Sequence, residues 1–132
     1  MRFADTSVLL SVLASWHPRR DDVRRVIQPP VPTVGHCVVE VYSVLTRLPE
    51  PFRVAGAVAA QALDMLLGEV IVLEPAELGT LPGILAAYGV TGGATYDGLI
   101  AATVAAHGGR LLTLDARAAG TYRACGATFE LL

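Results

Sequence analysis

Four acidic residues stand where a carboxylate can do chemistry: Asp5, Glu40, Asp97 and Asp115. Asp5 follows a short apolar stretch, Arg2-Phe3-Ala4, and opens a run of helical length, Val8 to Leu13. Asp115 repeats that placement after Arg110-Leu111-Leu112-Thr113-Leu114. Asp97 falls in the first turn of a helix predicted from Tyr96 to His107, and Glu40 shares the face of Cys37 and Val44 in a helix predicted from His36 to Leu48. Carboxylates gathered in one cleft repel one another and lose hydration, so they need protons or cations beside them. With oxygen donors and no Cys or His cluster in the sequence, magnesium or manganese is the natural cation. One or two such ions can activate a water and stabilise a phosphodiester transition state.

Each acid also has a plainer reading. Asp5 and Asp115 suit the N-caps of the helices that follow them, and Asp97 suits the positive end of its own helix. Glu40 has the weakest plain explanation, because a mid-helix acid on a largely apolar face caps nothing and must meet a donor. Thr6, Ser7 and Thr113 read as turn hydroxyls that can also orient a carboxylate or a water. His17, His36 and His107 lie in unrelated places and read as non-catalytic. Gly92-Gly93 lacks the spacing of a phosphate-cradling loop.

The elements that must position these acids alternate along the chain. A strand at Arg2-Phe3-Ala4 leads to a helix closed by Trp16-His17-Pro18, and a charged helix from Asp21 to Gln28 is stopped by Pro29-Pro30. Val31 to Val34 reads as a second strand, and the helix carrying Glu40 ends at Pro49. An alanine-rich helix follows from Arg53 to Leu67, with Gly68 suited to cap it and Val70 to Leu73 as a fully apolar strand of the doubly covered kind. Helices from Leu78 to Tyr88, Tyr96 to His107 and Ala116 to Arg123 then alternate with strands from Arg110 to Leu114 and Ala127 to Leu131. This alternation predicts an α/β fold of three layers, with a mostly parallel central sheet flanked by helices and the acids at its carboxyl edge.

Composition narrows the class. The chain has 132 residues, 53% of them hydrophobic, which predicts a single domain, 1–132, with a sizeable core. No apolar run reaches the length of a membrane span, so the expectation is a cytoplasmic protein without membrane contact. Cys37 and Cys125 lie far apart in apolar surroundings and read as buried free thiols. The net charge of -2 supplies no general basic footprint for nucleic acid. Arg19, Arg20, Arg24 and Arg25 nonetheless crowd one short stretch, either as phosphate holders beside the acids or as a solvated helix face.

The sequence resembles a PIN domain, and within that family the VapC-like toxin ribonucleases of bacterial toxin-antitoxin pairs. The stretches that carry the resemblance are Phe3-Ala4-Asp5-Thr6-Ser7, the run from Val39 to Pro49, Tyr96-Asp97-Gly98-Leu99-Ile100-Ala101-Ala102, and Leu112-Thr113-Leu114-Asp115. The resemblance implies that Asp5, Glu40, Asp97 and Asp115 are metal-binding acids for magnesium- or manganese-dependent RNA cleavage. It also implies polar support from Thr6 or Ser7 and Thr113, homodimerisation, and inhibition by a cognate antitoxin protein. Gly98 departs from the family's usual alanine, and the stretch from Ala116 to Ala119 is less charged than usual. A phosphoacceptor receiver domain also places acids above a parallel sheet, but such domains resemble a family that needs a lysine near the site, and this chain has none. The other reading left open is a PIN-fold protein that binds RNA or antitoxin with little or no turnover.

Overall fold

The computed structural model describes all residues, 1–132. Five parallel strands, β1 (Arg2–Ala4), β2 (Val31–Val34), β3 (Leu67–Ile71), β4 (Arg110–Thr113) and β5 (Thr128–Leu131), form one sheet in the order β3-β2-β1-β4-β5. Seven helices connect them: α1 (Thr6–Leu13), α2 (Arg20–Val26), α3 (Gly35–Arg47), α4 (Gly56–Leu66), α5 (Pro75–Ala87), α6 (Ala94–Ala106) and α7 (Ala116–Ala124). Adjacent residues of the middle strands are both buried, Phe3 with Ala4 and Leu111 with Leu112. Since neighbouring side chains point to opposite faces, helices must cover both sides of the sheet. The expected three-layer α/β architecture is therefore present. No helix is long and apolar enough to cross a membrane.

The strand order places the site. From β1 the chain passes to β2 on one flank and later reaches β4 on the other, so the switch point of the sheet lies between β1 and β4. Register aligns Phe3 with Leu111 and Ala4 with Leu112, and the Asp5 amide donates to the Leu112 carbonyl at 3.0 Å. Asp5 and Asp115 thus leave neighbouring strands at the same edge. Thr33, buried in β2, donates its hydroxyl to the Ala4 carbonyl at 2.7 Å, which satisfies a polar group inside the sheet.

Two features differ from the sequence expectation. Gly68 does not cap a helix: α4 ends at Leu66, and Gly68 lies inside β3. A Cβ at Gly68 would stand 3.0 Å from the Pro30 Cβ and 3.3 Å from its carbonyl oxygen, so glycine serves there for close approach between strands. The strand itself begins three residues earlier than its apolar run suggests and is an edge strand, with Val70 and Val72 exposed rather than covered on both faces. Further along, α5 starts at Pro75 because the Glu77 carboxylate accepts from the Glu74 amide at 3.2 Å, a turn before the apolar pattern becomes visible.

Candidate active site

Asp5 is the most enclosed acid, with 2% of its surface exposed. Its Oδ1 accepts from the Ser7 hydroxyl at 2.5 Å and the Val8 amide at 3.1 Å, so it does cap α1; its Oδ2 accepts from the Tyr122 hydroxyl at 2.9 Å. Burial pushes the Asp5 carboxyl above the usual range, and the Ser7, Thr113, Val8 and Tyr122 donors oppose that rise. Ser7 also accepts from the Leu114 amide at 2.8 Å, which ties the start of α1 to the end of β4. Thr6 turns a buried hydroxyl toward the Cys37 side and finds no full hydrogen-bond partner. The Cys37 thiol is buried and pushed up to about 12, chiefly by desolvation, which makes it inert as a nucleophile.

Asp115 caps α7, its Oδ1 accepting from the Arg117 amide at 2.9 Å and the Ala118 amide at 3.4 Å, while the Asp115 amide donates to Thr113 Oγ1 at 3.0 Å. The exposed Arg117 Nε lies 3.6 Å from the same oxygen. Glu40, half-exposed on α3, meets His36 one turn earlier, with Nε2 and Oε2 2.6 Å apart. His36 is therefore not unrelated to the acids, and the pair supplies the partner that a mid-helix acid requires. Asp97, in the first turn of α6, has no such partner. Its carboxyl is raised first by burial and then by the charges of Asp115, Glu40 and Asp5, with only Arg117 pulling it down.

All four predicted acids line one cavity of about 170 Å³, together with Thr6, Ser7 and Tyr122. They come from the ends of β1 and β4 and from α3 and α6, elements far apart in sequence. No three His, Cys, Asp or Glu side chains are arranged to hold an ion. Asp5, Asp115 and Glu40 each meet a partner within the chain. The donor set nonetheless fits a hard divalent cation in kind, and the mutual repulsion that raises Asp97 is what a cation would relieve. Tyr122 is the cavity residue that sequence reasoning missed. It reaches Asp5 across 117 positions, and no local pattern marks it.

The arginines are elsewhere. Arg20 Nε donates to the Val12 carbonyl at 3.2 Å, at the end of α1 remote from Asp5, while Arg19 and Arg25 pair with Asp22. Arg20 and Arg24 border a separate groove with Val12, Leu13, Met65 and Leu66. The cluster does not line the acidic cavity, because α1 starts at the carboxyl edge and carries the chain away from it.

A PIN domain profile matches residues 2–124. Ribonuclease VapC40 of Mycobacterium tuberculosis is 42% identical over 129 residues, spanning 97% of this chain and 96% of its own length. Ribonuclease VapC27 of the same organism is 44% identical over 92 residues, 70% of this chain and 67% of its own. With its parallel sheet and the cavity at its switch point, the chain belongs to the PIN-domain family and is a homologue of the VapC ribonucleases.

Proposed function

We propose that residues 1–132 act as one domain, a metal-dependent endoribonuclease that serves as the toxin of a toxin-antitoxin pair in the cytoplasm. The observation that carries this reading is the convergence of Asp5, Glu40, Asp97 and Asp115 on one cavity, with Asp97 raised by burial and then by the charges of the other three. These four would hold Mg2+ or Mn2+, which supplies Lewis acidity and a water of lowered pKa. Ser7, Val8 and Tyr122 hold the Asp5 carboxylate in place and oppose the effect of its burial. Glu40, braced by His36 and open to solvent, takes the proton of the attacking water. In-line attack by water on the phosphodiester leaves 5′-phosphate and 3′-hydroxyl ends. Arg117, at the mouth of the acidic cavity, offsets the repulsion between the carboxylates and the phosphate.

The groove between α1, α2 and α4 supports an antitoxin partner, since it joins apolar side chains, including the exposed Met65, to Arg20 and Arg24. A homodimer is proposed on the remaining apolar surface, where Trp16 packs on Phe52 with both partly exposed. A second reading, an RNA- or antitoxin-binding protein with little turnover, draws on the intramolecular engagement of three of the acids. One experiment separates the two: purified chain is incubated with total cellular RNA, with Mg2+, with Mn2+ and with chelator, and new ends are mapped. Metal-dependent cleavage leaving 5′-phosphates is expected. Chelator-resistant cleavage with 2′,3′-cyclic phosphates would overturn the mechanism, and RNA left whole under every condition would favour the binding reading.

A further inference from the structure

Tyr96 precedes Asp97 in α6 and exposes 56% of its surface. Its ring lies on that of His36, centroids 5.1 Å apart and planes within 7°. His36 is in turn fixed by Glu40 at 2.6 Å and keeps only 21% of its side chain exposed. The stack therefore joins the two helices that bring Glu40 and Asp97 to the cavity, and it buries the histidine while leaving the tyrosine open. A ring held flat from below loses little freedom when a second flat group arrives. Nucleobases stack on such rings without regard to sequence.

We propose that the His36–Tyr96 pair is a nucleobase platform, on which one unpaired base of a single-stranded RNA stacks while its backbone passes the acidic cavity. This rests on the ribonuclease reading and adds to it the residue pair that would hold a base beside the cut; a base inside a duplex has no free face to offer. His36 is a positioning residue that orients the Tyr96 ring.

The test uses the full chain in chelator, where binding is read without cleavage. A fluorescein-labelled decauridylate and an abasic chain of the same length are titrated by polarisation. The wild-type protein should bind the base-bearing chain about fivefold more tightly, the low end for one base-aromatic stack. Tyr96→Ala should bind both chains equally, and Tyr96→Phe should restore the preference. A preference kept intact by Tyr96→Ala, or equal binding of both chains by the wild type, would overturn the platform while leaving RNA binding in place. Failure of the wild type to bind either chain would likewise overturn the platform, while the ribonuclease reading stands or falls on the ends mapped with and without metal.

Discussion

Removing one charge from the acidic cavity should stabilise the metal-free protein while destroying its activity. Asp97→Asn is the cleanest change, since it keeps the side-chain volume, and Asp97 caps nothing and pairs with nothing. Its carboxyl is raised by partial burial and by Asp115, Glu40 and Asp5, so the folded chain holds the proton more tightly than the unfolded one. A group raised in this way stabilises the fold fully below its unfolded value, near 3.8, and that contribution is lost as pH rises through the folded value. At neutral pH the wild type carries the whole penalty and the amide carries none. The site is partly open to water and the positive end of α6 favours the charge, so the gain should be only about 0.5–1 kcal/mol. For a chain of this size that raises Tm by about 2–4 °C. Calorimetry in chelator at pH 7 and near pH 3 should show this gain at pH 7 and its disappearance near pH 3, while Mg2+ should stabilise the wild type more than the variant. A lowered Tm at pH 7, or an equal gain at both pH values, would refute the electrostatic account of the cavity.

Tyr122→Phe leaves a buried Asp5 oxygen without its donor and should cost about 1–3 kcal/mol, read by urea unfolding; an unchanged midpoint would remove Tyr122 from the site. Gly109→Ala would drive a Cβ into the Phe3 ring and toward the Met1 carbonyl at 3.1 Å, and should lower stability by about 1–3 kcal/mol in the same assay. Neutralising Arg20 and Arg24 together should leave RNA cleavage and its salt dependence unchanged, because they border the groove and not the cavity; weakened cleavage would return them to the substrate path. Light scattering at micromolar concentration should give the mass of a dimer, and a clean monomer would refute that part of the proposal.

Much was legible in the chain itself because it is local chemistry. Apolar runs of strand and helix length, punctuated by Pro18, Pro29-Pro30 and Pro49, predict alternating elements, and alternation predicts a parallel sheet with helices on both faces. Asp5 and Asp115 are recognisable because an acid directly after a buried strand has few places to be except the carboxyl edge. The resemblance to PIN domains rested on those same stretches.

What needed the tertiary structure is whatever depends on which elements are neighbours. An apolar run such as Val70 to Leu73 is the same string in the middle of a sheet or at its edge, and only the strand order places β3 outermost. Gly68 has the right residue type for a helix cap, and only the approach of Pro30 shows why it is glycine in a strand. The arginines follow the direction of α1, which carries them away from the acids whose chemistry they were matched to. Tyr122 and Asp5 lie 117 residues apart, and Tyr96 meets His36 only because α3 and α6 pack together. Periodicity reports which face of an element is buried; it carries no information about what the buried face touches, and the acidic cavity is made of such contacts.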